Sequence, residues 1–160
     1  MLYREITRND LEEVTELYLK LAQHVKTASQ DPYFDLQDRP RTEMMSSLEA
    51  DLKNPEKVTY VAVPEKSTDK IAGFISGEII NCYLPLSKVN KVGYIENAYS
   101  LAEYRKVGIM KSLEECINRF FKAKGVSFVE LHVMLKNQIA RDFWESRGYK
   151  TFRVHMRKKI

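Results

Sequence analysis

The sequence predicts an α/β fold: one mixed β-sheet flanked by helices, in the order β-α-α-β-β-β-α-β-α-β. Three observations predict it. Apolar residues recur at spacings of three and four in some segments, as in amphipathic helices, and they alternate with polar residues in others, as in strands. A strand–helix–strand unit in the second half implies a parallel pair, because a crossover helix returns the chain in the same direction. The hairpin-like strands before that unit imply antiparallel pairing.

In the first half, local signals give each element its limits. Thr7 and Asp10 resemble a capping box with Asp in place of the usual Glu, directly before a periodic stretch. Asn54-Pro55 ends a second helix. A polar turn around Ser67-Thr68-Asp69 separates two β-rich segments. The predicted elements are a strand at 2–6, a helix at 11–25, an irregular segment at 26–41, a helix at 44–52, and strands at 58–63 and 71–80.

Glycine, proline and asparagine mark the limits in the second half. Pro85 indicates a loop over 83–91, Gly125 is a good C-cap for a long helix, and Asn137 can cap a helix that Gly148 ends. Neither an internal repeat nor a linker divides the chain, so we expect one domain over residues 1–160. The predicted elements are strands at 92–101, 126–133 and 152–157, a helix from about 108 to 125, and a helix at 137–147.

Composition excludes several classes of protein. The 160 residues are 44% hydrophobic and 30% charged, which suits a packed core with a solvated surface. No apolar run is long enough to span a bilayer, the first 25 residues lack a signal-peptide pattern, and two cysteines cannot build a disulfide framework. A soluble, cytoplasmic protein is therefore expected. The net charge of +4 is modest and local, so nucleic acid is not expected as the main partner.

The most informative stretch runs from Tyr94 to Met110, where a predicted strand ends and the long helix begins. A helix N-terminus presents unpaired backbone N–H groups and a positive dipole end, and it therefore attracts phosphate. Gly108 lets the backbone approach an anion closely, and Arg105, Lys106 and Lys111 add positive charge. The alternative is an ordinary capped helix with a solvated basic face.

Two blocks of residues resemble the GNAT superfamily of acyl-CoA N-acyltransferases. Its phosphate loop follows the pattern Q/R-x-x-G-x-G/A, and its downstream signature is roughly N-x-x-A-x-x-F-Y-x-x-x-G-F. The first block is matched by residues 105–110 and the second by Asn137, Ala140, Phe143, Trp144, Gly148 and Tyr149. The resemblance covers nearly the whole chain, although only residues 92–150 carry specific motifs.

The resemblance implies a cleft where two parallel strands splay apart and acetyl-CoA enters between them as acyl donor. The backbone of Ala98, Tyr99 and Ser100 would pair with the pantetheine arm. Asn137 would hydrogen-bond the cofactor as well as cap its helix, and Phe143 and Trp144 would lie near the thioester. The pyrophosphate would be held by backbone N–H groups of Arg105, Lys106, Val107, Gly108, Ile109, Met110 and Lys111.

Three positions depart from the family pattern. Met110 stands where Gly or Ala is usual, and Lys106 replaces a frequent Gly while adding positive charge. Trp144 occupies the place of a tyrosine that protonates the departing CoA thiolate in many members. An indole N–H donates a hydrogen bond but is no useful acid, so the usual acid is missing.

Four residues are candidates for the acceptor side. Glu96, on the strand that feeds the phosphate loop, is the candidate for binding the ammonium group and relaying its proton through water; the alternative is a structural salt bridge within the sheet. Its run Tyr94-Ile95-Glu96 resembles the equivalent strand of aminoglycoside N-acetyltransferases. Glu78 is the reserve candidate. Tyr33 and Phe34 lie in the loop that shapes the acceptor pocket in this family, with plain loop packing as the alternative.

The sequence therefore predicts an acetyl-CoA-dependent N-acetyltransferase that acts on a primary amine of a small molecule or peptide by direct attack. A catalytically degenerate acyl-CoA-binding sensor or regulatory protein of the same fold is the second reading, and a basic protein-interaction or nucleic-acid module is the third. His24, His132 and His155 lack metal-ligand spacing, so no metal is expected. Neither the identity of the acceptor nor the formation of a homodimer follows from the sequence.

Overall fold

The computed structural model describes residues 1–34, 40–65 and 70–160. Each helix and strand lies close to a segment whose periodicity predicts it. The strands are β1 (Leu2–Glu5), β2 (Lys57–Val63), β3 (Gly73–Asn81), β4 (Lys91–Ser100) and β5 (Val129–Leu131). The helices are α1 (Leu11–Ser29), α2 (Arg41–Asp51), α3 (Ile109–Ala123) and α4 (Gln138–Ser146).

The five strands form one sheet in the order β1-β2-β3-β4-β5. β1 to β4 are antiparallel to their neighbours, and β4 pairs with β5 in parallel after the crossover through α3. The predicted mixed sheet is thereby confirmed. The parallel pair lies at one edge of the sheet, next to the phosphate-loop motif.

Helices cover both faces of the sheet, each over its own hydrophobic core. One core lies under α1 and α2 and the other under α3 and α4. Gly93 is the closest point of approach on the α3 side: a Cβ atom there would lie 2.6 Å from the ring of Phe121. Glycine at this position therefore lets α3 pack directly on β4. The principal residues are Val14, Leu17, Leu48, Val61 and Phe74 in the first core, and Ile75, Leu113, Ile117, Phe121 and Trp144 in the second.

A buried ion pair fixes α4 against α3. Glu114 is only 3% exposed, and its Oε2 accepts hydrogen bonds from Arg147 Nε at 3.1 Å and Nη2 at 2.9 Å. Asn118 Nδ2 donates to the other carboxylate oxygen at 2.6 Å. Because a buried carboxylate is tolerated only when it is paired in this way, the contact sets where α4 lies.

The predicted strand at 152–157 is wrong. Residues 151–160 have no strand structure, and no backbone hydrogen bond joins them to the rest of the described chain. A strand needs a neighbouring edge, and β5 provides only three residues of it instead of the eight predicted at 126–133. The segment is held instead by side-chain contacts of its arginines.

Other limits differ by a few residues. α1 continues to Ser29, four residues past its predicted end, where Gln30 adopts a left-handed conformation with φ of 48°. The rest of the irregular segment between α1 and α2 includes residues 35–39, which lie outside the described residues, as does the turn predicted around Ser67-Thr68-Asp69.

The predicted capping box is confirmed, and it is extended by an arginine. Asp10 Oδ2 accepts from the backbone N–H of Thr7 at 2.7 Å and from its hydroxyl at 2.8 Å. Arg4 donates to both carboxylate oxygens, at 2.7 and 2.8 Å. This cluster joins β1 to the start of α1.

The Asp10 cluster leads to a stability prediction. The hydrogen bond from Arg4 lowers the pKa of Asp10 from 3.8 to about 2, against the opposing effect of burial. A lowered pKa contributes stability that is present above pH 3.8 and lost as the pH falls through about 2. Asp10→Asn is therefore expected to lower the free energy of unfolding by about 1–2 kcal/mol at pH 7, discounted for solvent screening, and by much less at pH 2.

Urea unfolding of both proteins at the two pH values measures this difference. Glu145→Gln is the control, because its exposed pair with Arg141 at 3.9 Å should change the free energy by less than about 0.5 kcal/mol. An Asp10→Asn effect that is equal at both pH values contradicts the prediction.

Candidate active site

The two parallel strands separate soon after they meet. β4 and β5 pair only over Gly93–Ile95 and Val129–Leu131, after which β5 ends and β4 continues to Ser100. Residues 96–100 therefore present an outer edge that has no strand partner in the described part of the chain. Backbone groups on such an edge are open to hydrogen bonds from an extended molecule. Ala98, Tyr99 and Ser100, the predicted pantetheine contacts, lie along this edge.

A β-bulge lies where the strands separate. Ile95 stands opposite Gly77 and Asn97 opposite Ser76, so that Glu96 is the extra residue on β4. A bulge bends its strand and changes the direction of a side chain. Here it places Glu96 and Asn97 both on the side of the sheet that carries α1 and α2, where Glu96 lines a narrow cavity of about 50 Å³ with Asp51 and Lys57.

The loop after β4 leads into the N-terminus of α3. A short 3₁₀ turn over Ala102–Tyr104 precedes an exposed stretch, and Gly108 is the N-cap of α3 with φ of 85°. Because this cap has no side chain, the N–H groups of the first turn have no side-chain acceptor there. Lys106 and Lys111 are exposed beside them. The arrangement suits a phosphate-bearing anion.

The structure accommodates the two departures in this loop. Lys106 has a φ of 63°, a left-handed conformation that favours glycine, which agrees with the frequent glycine at this position of the family pattern. Met110 packs its side chain against the core under α3. Its backbone N–H is therefore not covered by its own side chain.

Arg105 folds back onto the end of β4. Its Nε donates to the carbonyl oxygen of Ser100 at 3.3 Å, and its guanidinium carbon lies 5.8 Å from the centre of the Tyr99 ring. These contacts connect the loop to the free edge of β4. The first predicted phosphate ligand therefore also positions the loop.

α4 provides the other predicted cofactor contacts. Asn137 caps the helix, because its Oδ1 accepts from the backbone N–H of Ala140 at 3.2 Å. Trp144 is 8% exposed and packs between Phe143 and Tyr149, with ring centres 4.9 and 5.2 Å away. Tyr149 is no substitute acid: burial raises its pKa, and its hydroxyl lies 3.5 Å from Glu114.

Three carboxylates and one lysine surround the bulge. Lys57 Nζ lies 3.1 Å from Asp51 and 3.7 Å from Glu78. Glu96 makes no ion pair in the parts of the chain that are described, although Glu78 and Asp51 lie close enough to influence its ionisation. Burial raises the pKa of Glu96, as do the two acidic neighbours to a smaller extent, while Lys57 opposes them. A carboxylate with these properties can bind a cation and accept a proton.

Two polar contacts of this region were not predicted. Tyr18 donates to Ser76 Oγ at 2.8 Å, and Asn97 Nδ2 donates to the same oxygen at 3.2 Å, which ties α1 to the bulge. Tyr94 and His132 hydrogen-bond at 2.7 Å, beside the point where β4 and β5 separate. The short parallel register brings Tyr94 and His132 together, and no local spacing in the sequence indicates it.

The predicted acceptor loop follows directly after the end of α1. Tyr33 and Phe34 belong to a 3₁₀ turn, with ring centres 5.7 Å apart, and Tyr33 is 71% exposed. Lys136, in the segment after β5, donates to the carbonyl oxygen of Ser29 at 3.2 Å. The end of α1 is thus joined to the segment that follows β5.

Comparison with known proteins agrees with this geometry. The sequence model of the acetyltransferase (GNAT) family matches residues 14–149. No helix in the described ranges is long and apolar enough to cross a membrane.

Three solved structures illustrate the similarity of fold. A point variant of the BH1408 protein from Bacillus halodurans is 25% identical, with a TM-score of 0.86, over 100% of this chain and 99% of that one. The aminoglycoside acetyltransferase AAC(6')-Iy, in complex with a bisubstrate analogue of CoA and acetylneamine, is 18% identical with a TM-score of 0.78, covering 99% and 97%. The aminoglycoside 6'-N-acetyltransferase AAC(6')-IG from Acinetobacter haemolyticus is 17% identical with a TM-score of 0.74, covering 100% and 99%.

Proposed function

The chain belongs to the acetyltransferase (GNAT) family, and on this premise we propose that it is an N-acetyltransferase. Residues 1–160 would act as a single domain that transfers an acetyl group from acetyl-CoA to a primary amine of a small molecule or peptide. One observation carries the proposal: the free edge of β4 leads directly into the glycine-capped N-terminus of α3. An extended pantetheine arm and a pyrophosphate need these two features in that order.

The same residues suggest how acetyl-CoA is held. Ala98, Tyr99 and Ser100 offer backbone groups to the pantetheine arm, and the N–H groups of residues 108–111 offer donors to the pyrophosphate. Asn137, the N-cap of α4, and Phe143 within α4 would contact the cofactor, as the family resemblance implies. Positioning the thioester beside the amine supplies much of the rate of such a reaction.

Glu96 is the proposed binding group and proton acceptor for the amine. An ammonium group must lose a proton before its nitrogen can attack, and a carboxylate with a raised pKa is a better base for that proton. The free amine then forms a bond to the acetyl carbonyl carbon, its nitrogen loses a second proton to water, the carbon–sulfur bond breaks, and CoA leaves as a thiolate. Asp51 and Glu78 add to the negative field that attracts the cation.

Protonation of the thiolate proceeds without a tyrosine at position 144. A thiol with a reference pKa near 8.5 is a tolerable leaving group near neutral pH, so that water can supply the proton. We expect Trp144→Tyr to give a kcat at least about tenfold above that of Trp144→Phe, because the two differ only in the hydroxyl group. Both should unfold about 1–3 kcal/mol more easily than the wild type, since each leaves a cavity in the core.

Steady-state kinetics of the two variants measure the difference, and thermal unfolding controls for the common loss of packing. An equal kcat for both variants would mean that a hydroxyl group here cannot reach the leaving sulfur.

The proposal is tested first by calorimetric titration with acetyl-CoA, with ATP as the control. Acetyl transfer to a panel of primary amines is then measured by release of the CoA thiol. The panel contains spermidine, an aminoglycoside, a free amino acid and a peptide with a free N-terminus. Binding of acetyl-CoA with transfer to at least one amine supports the enzyme. Binding without transfer favours a CoA-binding sensor, the reading that the missing acid at Trp144 supports.

A further inference from the structure

The C-terminal segment, residues 150–160, contacts three separate parts of the fold through Arg153 and Arg157. The guanidinium carbon of Arg153 is 4.2 Å from the centre of the Tyr83 ring, and its Nη2 is 3.4 Å from Nε2 of His132. Four residues later, Arg157 lies 4.4 Å from the centre of the Tyr33 ring. The segment therefore reaches from the loop after β3, past the end of β5, to the loop after α1.

Charge rather than apolar burial holds the segment in place. Arg153 and Arg157 contact the protein, whereas Val154 and Met156 between them are 68% and 86% exposed. Exposed ion pairs and surface cation–π contacts are individually weak and are screened by salt. Such a segment can leave its position without disturbing the core.

The position of Arg157 has the chemistry of a site for an organic cation. Arg157 forms an ion pair with Asp31 and lies over the Tyr33 ring, so that a carboxylate and an aromatic face act on one cation. The backbone N–H of Tyr33 donates to the other carboxylate oxygen of Asp31 at 3.0 Å. The hydrogen bond from the Tyr33 N–H and, to a smaller extent, the hydrogen bond from Arg157 hold the pKa of Asp31 below its usual range. The carboxylate is therefore charged at neutral pH.

A series of contacts connects this site to β4, the strand that carries Glu96. The contact between Lys136 and Ser29 joins the end of α1, two residues before Asp31, to the segment after β5. His132, which contacts Arg153, hydrogen-bonds with Tyr94, two residues before Glu96 on β4. The two arginines of the segment thus contact the predicted acceptor loop at Tyr33 and, through His132, the residue that hydrogen-bonds with Tyr94 of β4.

We propose that Arg157 is a tethered competitor of the acceptor: it occupies the Asp31–Tyr33 site and is displaced when a cationic amine binds there. This inference rests on the proposed function, since it assigns a regulatory contact to the same acceptor site. A polycationic amine would then have one ammonium group near Glu96 and another on Asp31.

Amide NMR of the full chain tests displacement without any need for activity. In the ¹⁵N spectrum, we expect added spermidine to move the amide signals of residues 154–158 toward random-coil positions, and to do so more than sodium chloride at equal ionic strength. Arg157→Ala should show the displaced spectrum without spermidine. Lys158→Ala is the matched control, because it removes the same charge one residue away and should keep the wild-type spectrum. Unchanged signals on addition of spermidine overturn the proposal.

Kinetics with spermidine distinguish the two sides of the contact. Arg157→Ala should lower the KM for spermidine about three- to tenfold, the size expected for one surface ion pair with a cation–π contact. Asp31→Asn also frees the segment, yet it should raise that KM, because it removes a ligand of the amine. The Kd of acetyl-CoA should stay the same in both variants.

The outcomes separate this inference from the proposed function. Displacement of the segment by spermidine, without acetyl transfer to any amine of the panel, would support the competitor and refute the enzyme. Transfer with the same KM in wild type and Arg157→Ala refutes the competitor and keeps the enzyme. If release of the C-terminal segment depended on protein concentration, the segment would take part in a contact between two copies of the chain. That result would also overturn the proposal.

Discussion

Replacing Glu96 by glutamine is expected to lower kcat/KM for acetyl transfer about 10²–10³-fold at neutral pH. Glutamine has nearly the same shape as glutamate, but it neither attracts an ammonium group nor accepts its proton. The ion pair between Lys57 and Asp51 does not involve Glu96, and the cleft should therefore keep its form. The Kd of acetyl-CoA should change less than about twofold, because the proposed cofactor contacts are backbone groups of residues 98–100 and 108–111, which the substitution does not alter.

The pH profile makes the role of Glu96 specific. Burial raises the pKa of this carboxyl group, and only its ionised form can accept a proton. In the wild type, kcat/KM should therefore fall as the pH drops through a value above the ordinary glutamate range. Ionisation of the amine gives a second change in kcat/KM at higher pH. The Glu96→Gln variant should retain this change and lose the fall in kcat/KM at low pH.

Glu78→Gln is the matched control for this experiment. Glu78 faces the same cleft but lies 3.7 Å from Lys57, so its loss should cost about tenfold or less and leave the fall in kcat/KM at low pH in place. If Glu78→Gln removed the fall in kcat/KM at low pH and Glu96→Gln did not, the two carboxylates would have the opposite roles.

Replacing Gly108 by valine is expected to weaken acetyl-CoA binding at least about tenfold, and up to about a hundredfold. A Cβ atom at this position would meet no atom within 4 Å, so the effect does not come from crowding. It comes from the backbone, because a φ of 85° is a conformation that a β-branched residue strongly disfavours. Relief of that strain would turn the first N–H groups of α3 away from the anion. Gly108→Asn, which tolerates a left-handed backbone, should retain most of the affinity.

Gly125→Val provides the control at the other end of α3. Gly125 has a φ of 76°, and a Cβ atom there would also meet nothing within 4 Å. Both valine variants should therefore lose a similar amount of thermal stability, while only Gly108→Val loses affinity in a calorimetric titration. Equal affinity of the two variants for acetyl-CoA would place the pyrophosphate away from this helix end.

Local signals in the sequence predicted most of the fold. The spacing of apolar residues gave α1 and α3, and Thr7, Asn137 and Gly148 marked helix ends, because caps depend on residues only a few positions apart. The glycine-capped start of α3 was predictable for the same reason: Gly108, the basic residues beside it and the helix that follows are contiguous in the chain.

Contacts between distant segments could not be predicted in this way. The hydrogen bond between Tyr94 and His132 depends on a parallel register of only three residue pairs. The alternation of Phe152, Val154 and Met156 suggested a strand, yet a strand forms only beside a free edge, and β5 ends at Leu131. Periodicity indicates what a segment can form, whereas its partners decide what it does form.

The bulge at Glu96 has a consequence for how this chain can vary in length. Before it, Gly93 and Ile95 face α3; after it, Ala98 faces α3 while Asn97 and Tyr99 face α1. Deleting one residue between Ile95 and Ala98 would remove the bulge and leave Ala98 and Tyr99 on their present faces, whereas inserting one more residue there would turn Tyr99 into the α3 core. We therefore expect single-residue insertions among natural homologues to be absent from this stretch of β4 and to concentrate in the loop over residues 82–90.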